Sequence, residues 1–372
     1  MQLDWLRPLT RVEGPYATAT LDASRVDPAT SDRPEEIWAT GRRHLEQLGA
    51  TAETLDAMEE SALEPSGRGG ELTRVICGAS GSLLLDLTFP GRPVRQKTSF
   101  SAAPHLMPLL RGLDAHEPYA VVRVDRTGAD LEMVGITGTV LEDTDVSGDH
   151  DVIHKVSAGG MGERRIQTRA EDSWKHNAGE VAQAVDSLVR RGKPAVVFLM
   201  GDERAISFLG DQASPDVRER LVPLGTGGRA KGVSREAEAE AIAEELVRRR
   251  AARQQQLRDD FEAARGATGR GAEGLEAVVE AVRKAQVDTL LLRDDPTSEQ
   301  TLHVGEAASM IGLTEQDARQ AGASAPTTDR ADAALVWSLA ATGGSVGLVD
   351  DSVQLRDGVA AILRWDDDST RH

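Results

Sequence analysis

The residues best placed to do chemistry lie in one run, Lys155-Val156-Ser157-Ala158-Gly159-Gly160-Met161-Gly162-Glu163-Arg164-Arg165-Ile166-Gln167. Three glycines in four positions permit φ > 0 and let a backbone approach a ligand closely. Arg165 and Arg169 are four apart, so they share a face if a helix begins here, and Lys175 and His176 follow about two turns later. Glycine beside arginine makes a tip suited to phosphate contact. The same composition suits a hairpin loop ahead of a solvated helix, and both readings stand at the level of spacing.

Other candidates offer less. Gly225-Thr226-Gly227-Gly228-Arg229-Ala230-Lys231-Gly232 does not complete G-x-x-x-x-G-K-[ST] and reads as a surface loop leading to a helix. Arg229–Arg258 holds eight basic and five acidic residues, including Arg248-Arg249-Arg250. Such a segment serves either an RNA contact or a solvated face laced with Glu–Arg pairs. His150 and His154 have metal-ligand spacing only on a helix, fall at a strand entry and lack the Glu of H-E-x-x-H, so no metal site is expected. Cys77, the single cysteine, leaves no internal disulfide or multi-cysteine zinc site and reads as a buried small hydrophobe. No G-x-S-x-G and no G-x-G-x-x-G after a strand appears, and no cofactor is implied.

These residues need elements to hold them. Tyr16–Leu21 alternates like a strand, two helices are expected over Glu35–Leu48 and Ala52–Ala62, and Thr73–Cys77 with Ser82–Leu87 reads as a hairpin. A short helix is expected over Pro104–Leu113. Tyr119–Asp125 and Asp130–Ile136 read as strands, with Thr139–Leu141 and Val152–Val156 as two more. A polar helix is expected over Thr168–Val189. Pro194–Met200 has the continuous apolar character of a strand buried on both faces. A helix near Arg204–Leu209 and a strand over Arg220–Leu224 follow. Ser234 reads as the N-cap of a charged helix running to about Ala264. The rest alternates: helix Gly274–Ala285, strands Val287–Arg293 and Leu302–Val304, helix Ala331–Ala341, and strands Ser345–Val349 and Val359–Trp365. Such alternation predicts an α/β fold in three domains: an N-terminal α+β domain over 1–117, a central domain over 118–266 and a C-terminal domain over 267–372.

Composition limits the partners. The 372 residues carry 43 Lys+Arg against 61 Asp+Glu, a net charge of −18, so indiscriminate coating of nucleic acid is excluded. Five Trp, two Tyr and five Phe leave little for base-stacking platforms. Basic residues are densest in the middle, with 22 basic and 26 acidic groups over 118–266, against 9 and 18 over 267–372. No apolar run approaches the ~20 residues that span a bilayer, and the first residues lack a signal-peptide core, so a cytoplasmic location is expected.

Gly159-Gly160-Met161, Arg165, Arg169 and His176-Asn177 fall in the order in which a GGQ loop precedes an Arg-rich helix with a His-Asn pair. Asp260-Phe261-Glu262 before a glycine-containing loop, then Val278–Ala285 and Val287–Leu292, and the ending Gly358–Trp365, extend the match. The chain resembles the bacterial branch of the archaeo-eukaryotic release factor superfamily, the group of Pelota-like and Balon-like ribosome hibernation factors with actinobacterial members. The resemblance covers nearly the whole chain. It implies a ribonuclease-H-like middle domain and a C-terminal α/β/α sandwich similar to kink-turn RNA-binding proteins. It further implies a tRNA-shaped protein in the ribosomal A site whose loop reaches the peptidyl-transferase centre. The rRNA-contacting residues would be Gly159, Gly160, Met161, Gly162, Arg164, Arg165 and Arg169, and the partners the ribosome and elongation factor Tu or another translational GTPase.

In active relatives the GGQ glutamine helps position a water at the peptidyl-tRNA ester, chemistry run by placement and hydrogen bonding. Here Met161 stands in that register, and two residues later stands Glu163, an acceptor without a donor when ionised. Gln167 remains, beyond the glycines. The codon-reading motifs of the first domain are also missing: there is no NIKS run near Gly49–Leu55, and Thr98–His105 lacks the Tyr and Cys of the second motif. The expectation is a ribosome-binding factor for idle or stalled ribosomes, active in hibernation, rescue or stress and indifferent to codons. The alternative is a peptidyl-tRNA hydrolase using Gln167 or Glu163.

Overall fold

The structure, a computed structural model, describes residues 1–24, 34–65, 70–93, 95–125, 127–147, 178–225, 227–229, 234–350 and 353–366. It is mixed α/β, built on several sheets. The chain forms two compact units, one made of Met1–Ala115 with Ala251–His372, the other of His116–Arg250.

In the first unit, β1 (Tyr16–Asp22) is flanked by β2 (Leu72–Ala79) and β4 (Lys97–Ser101), and β3 (Ser82–Pro90) completes an antiparallel sheet of order β3-β2-β1-β4. Helices α1 (Pro34–Gln47) and α2 (Ala52–Leu63) close one face. Alternation along β1 sends Ala17, Ala19 and Leu21 inward to meet Trp38 and Leu45 of α1 and Leu55 and Met58 of α2. Thr51 caps α2, its hydroxyl accepting from the amide of Thr54. The helix expected over Pro104–Leu113 is α3 (Met107–Ala115).

The C-terminal part of this unit holds the sheet β10-β16-β11-β15, from β10 (Gly271–Glu273), β11 (Val287–Arg293), β15 (Ser345–Val349) and β16 (Val359–Leu363). β11 runs parallel to β15 and antiparallel to β16. Leu291, Val349 and Ala360 pack with Phe261, which gives the Asp260-Phe261-Glu262 junction its structural reason. Helix α8 (Leu275–Arg283) buries Val278, Val279 and Val282, and α10 (Ala331–Thr342) buries nearly its whole length, including Trp337. A small antiparallel sheet, β13-β12-β14, is formed by β12 (Thr301–Val304), β13 (Ile311–Gly312) and β14 (Thr327–Arg330), with α9 (Glu315–Gln320) beside it.

The two outer segments of the chain make contact within this unit. The amide of Leu3 donates to the carbonyl of Gly344 at 3.2 Å, Tyr16 meets Trp337 edge to face at 5.8 Å, and Arg111 grips Asp294 through two hydrogen bonds of 2.7 and 2.5 Å. Such pairings between residues hundreds of positions apart leave no trace in local periodicity.

The second unit is one sheet of order β7-β6-β5-β8-β9: β5 (Tyr119–Val124), β6 (Gly128–Val134), β7 (Val140–Ser147), β8 (Val196–Gly201) and β9 (Leu221–Pro223). β5, β6 and β7 form an antiparallel meander, and β8 and β9 add parallel to β5. That order, third-second-first-fourth-fifth with the last two parallel, is the ribonuclease-H-like arrangement. One face is covered by α4, described over 178–192, with α5 (Glu203–Gln212) and α6 (Pro215–Arg220); Val181, Val185 and Leu188 meet Val122, Leu131 and Leu199 there. The other face carries Val121, Phe198 and Met200 against Ile242 and Leu246 of α7 (Arg235–Ala263). α7 begins as expected, with Ser234 Oγ accepting from the amide of Ala237 at 3.2 Å. The division between the two units falls at Arg250/Ala251, inside the residue range of this helix.

Candidate functional site

The run 157–167 and the residues expected to act from it (Gly159, Gly160, Met161, Gly162, Glu163, Arg164, Arg165, Gln167 and Arg169) lie outside the described residues, as do Lys175, His176, His150, His154 and the strand expected over Val152–Val156. The structure does describe where that part of the chain is rooted. β7 runs parallel to β5, because each is antiparallel to β6, and Ser147 pairs with Gly128 at the turn that follows β5. The chain therefore leaves β7 at the end of the sheet where β5 and β8 finish, and re-enters described structure in α4. The carboxyl ends of parallel strands are where open α/β sheets present their ligand sites.

That end of the sheet carries a cage of charge. Asp130 and Asp145 are direct cross-strand neighbours, an arrangement that repels. Arg229 resolves it: its Nε lies 2.9 Å from Asp130 Oδ1, its Nη2 2.7 Å from Asp145 Oδ2 and its Nη1 3.2 Å from Asp125 Oδ1. Burial, with Asp145 opposing the help of Arg229, holds the Asp130 carboxyl above its usual range. Asp125 goes the other way: burial would raise it, but hydrogen bonds from Thr127 and the amide of Gly128, with Arg229 beside them, pull it below.

Gly227 and Gly228 accordingly have a packing explanation. A Cβ on Gly227 would stand 2.3 Å from Met200 Sδ, and one on Gly228 3.2 Å from the Cα of Gly201, so this loop passes tight against the end of β8. Both glycines have φ in the left-handed half of the map, +97° and +134°. Arg229 ties this part of the surface loop to the sheet, ahead of the helix that the sequence expected to follow.

The basic helix resolves the same way. Arg248 pairs with Glu245 at 2.5 Å, Arg249 with Glu117 at 2.7 Å, Arg258 with Asp350 at 3.3 Å and Arg235 with Glu238 at 3.0 Å. Glu238 is buried and also holds Arg123, which in turn reaches Glu132 at 2.9 Å. Arg235, Arg248, Arg249 and Arg258 of this stretch are thus each held in an ion pair. Among the described residues no three His, Cys, Asp or Glu side chains are grouped to hold a metal ion, and no helix is long and apolar enough to cross a membrane.

Residues 118–267, the sheet with the undescribed run between β7 and α4, match the model of bacterial archaeo-eukaryotic release factor family 2. Over those residues the chain is similar to that family. An uncharacterized protein of Mycobacterium tuberculosis is 29% identical over 368 residues, spanning 98% of this chain and 97% of its own length. Among solved structures, Dom34 of Saccharomyces cerevisiae, described as a translation termination-like factor interacting with Hbs1, is 12% identical, covers 81% of this chain and 82% of its own, and superposes with a TM-score of 0.44. A ribosome-bound archaeal Pelota is 16% identical, covers 98% and 94%, and has a TM-score of 0.41. The family match falls on the segment that the glycine and arginine spacing singled out. The residues that sequence reasoning missed are the carboxylates that hold Arg229 and Arg123, namely Asp125, Asp130 and Asp145 at one end of the sheet and Glu238 on α7.

Proposed function

We propose that this chain is a cytoplasmic ribosome-binding factor that occupies the A site of idle or stalled ribosomes without reading a codon. The observation that carries the reading is the release-factor family match over 118–267, whose stretch between β7 and α4, 148–177, contains Gly159-Gly160-Met161-Gly162 and the arginines after it. The arginines described elsewhere in this unit are largely engaged in ion pairs, so Arg164, Arg165 and Arg169 are the natural cations to meet rRNA. In this reading 1–117, 118–266 and 267–372 act as the three release-factor domains, a translational GTPase such as elongation factor Tu delivers the protein, and its occasion is hibernation or rescue under stress.

Ribosome co-sedimentation across a salt series tests the proposal. Wild type should pellet with ribosomes, and Arg164→Glu with Arg165→Glu should bind less tightly and with a flatter salt dependence, because fewer counterions are released. Sense and stop codons in the A site should make no difference. A double variant that pellets like wild type removes the loop as the contact, and a preference for stop-programmed ribosomes means that domain one reads codons.

A further inference from the structure

The carboxylates Asp130 and Asp145 are not the only like pair on the middle sheet. Two positions along the same two strands, Glu132 lies directly opposite Asp143. Residues two apart on a strand share a face, so all four acids project from one side of β6 and β7, the side on which Val121 and Arg123 stand on β5. Over β5 and β8 that side is covered by α7, where Val121, Phe198 and Met200 are buried. Over β7 it is exposed, at Leu141, Asp143 and Asp145. Among the described residues β7 has one neighbouring strand, β6, and so forms an edge of its sheet.

The cations of the chain do not cancel this charge. Arg229 is shared among Asp125, Asp130 and Asp145, and Arg123 is shared between Glu132, at 2.9 Å, and Glu238. Arg235 adds a second contact to Glu238 at 3.0 Å. Three guanidinium groups thus serve five carboxylates, and Asp143 has no hydrogen bond or ion pair among the described residues. Charges on an edge strand guard it against stray pairing, which accounts for Asp143 and Asp145. It does not account for Asp130 and Glu132, which stand on an inner strand and face their like charges at a cost.

We propose that the β7 edge docks an extended protein segment carrying Lys or Arg at every second residue. A strand added to β7 puts alternate side chains on one face about 6.8 Å apart, the spacing at which Asp143 follows Asp145. Its cations would offset the repulsion of the paired acids, and its apolar residues would meet Val140 and Leu141, 51% and 63% exposed at the start of β7. A lone metal ion fits less well, since among the described residues no three acids are grouped to hold one. RNA is repelled by this face, so the partner is a protein, and the inference stands whether or not the chain binds ribosomes.

The test is fluorescence anisotropy of a labelled, end-blocked peptide of eight alternating lysines and valines, titrated with the full chain. A peptide of four lysines followed by four valines carries the same charge without the alternation. Wild type should bind the alternating peptide about fivefold more tightly than the blocked one. Asp143→Lys should weaken the alternating peptide about tenfold. Glu219→Lys, the same charge change on α6 at the opposite face, should match wild type. Equal affinity for the two peptides, or an equal loss in Glu219→Lys, would reduce the effect to general attraction by an acidic chain and overturn the proposal. So would a wild type that binds neither peptide while Asp143→Val sediments as a dimer, because the acids would then only guard the edge.

Discussion

Nε2 of His105 stands 2.7 Å from Oδ1 of Asp329, across 224 residues of sequence. The same carboxylate accepts from the amides of Ala103, at 2.9 Å, and Arg330, at 2.8 Å, and it is almost wholly buried. A buried carboxylate is stable only when its lone pairs are satisfied, so Asp329 fixes the end of β4 and the approach to α3 against β14. With Arg111–Asp294 and Tyr16–Trp337, it makes the two ends of the chain one unit.

That relationship should be visible in the acid limb of stability. Burial alone would raise the Asp329 carboxyl, but its hydrogen bonds, led by His105, hold it below the usual aspartate range. A depressed folded value means that the stabilisation is full above the unfolded pKa of about 3.9 and is lost as pH falls through the lower folded value. Asp329→Asn should cost about 1–3 kcal/mol near neutrality and leave a shallower loss on acidification. Urea unfolding followed by tryptophan fluorescence from pH 7 to pH 3 measures both, since Trp38 and Trp337 lie in this unit's core. Parallel pH profiles for the two proteins would show that Asp329 is not a linked group.

Arg229 should be a structural cation. Removing it leaves Asp130 and Asp145 facing each other across β6 and β7, with burial raising the cost of ionising Asp130. The carboxylates are partly solvated, so Arg229→Met should destabilise the middle unit by only about 1–2 kcal/mol. The loss should grow as pH rises through the carboxylate range, and Asp145→Asn should recover part of it. Hydrogen exchange of the β5–β7 amides is the readout. Exchange in Arg229→Met that matches wild type, or an Asp145→Asn background that makes no difference, would remove the cage from the account of this fold.

Cys77 should be inert while the chain is folded. It is fully buried on β2, Thr18 Oγ1 lies 3.6 Å from its sulfur, and burial pushes the thiol up to about 12. Thiolate is the reactive form, so iodoacetamide at pH 8 should label native protein far more slowly than urea-unfolded protein. Equal labelling rates would show that β2 opens readily.

The sequence made some of this legible and not the rest, for physical reasons. β8 and β11 announce themselves as continuous apolar runs, α7 through its cap at Ser234, and β15 was placed at Ser345–Val349, its observed span. β7 is longer than Thr139–Leu141 because Glu142, Asp143 and Asp145 read as loop, while in the sheet they are held by β6, Arg191 and Arg229. β4 escaped notice because Lys97-Thr98-Ser99-Phe100-Ser101 has little apolar alternation and owes its conformation to pairing with β1. Phosphate-loop glycines and packing glycines look alike in sequence, and only the Met200 and Gly201 contacts of Gly227 and Gly228 tell them apart.

Catalysis on the ribosome is the sharpest expectation, and it is weak. Positioning a water at the peptidyl-tRNA ester needs a neutral group that both donates and accepts hydrogen bonds. Met161 offers neither usefully, and Glu163 when ionised only accepts. Losing one well-placed donor in an acyl-transfer site costs about 2.7–4 kcal/mol, or roughly 10²–10³ in rate. The amides of Gly160–Gly162 can supply some of that placement, so a residual rate above background is expected. Release of labelled peptide from peptidyl-tRNA on purified ribosomes is the measurement, with Met161→Gln, Glu163→Gln and Gln167→Ala beside wild type. Wild type should run near background, and one of the two substitutions that create an amide should raise the rate. Fast release by wild type that disappears in Gln167→Ala would mean that the water is placed by Gln167, beyond the glycines, and the chain would then be a peptidyl-tRNA hydrolase.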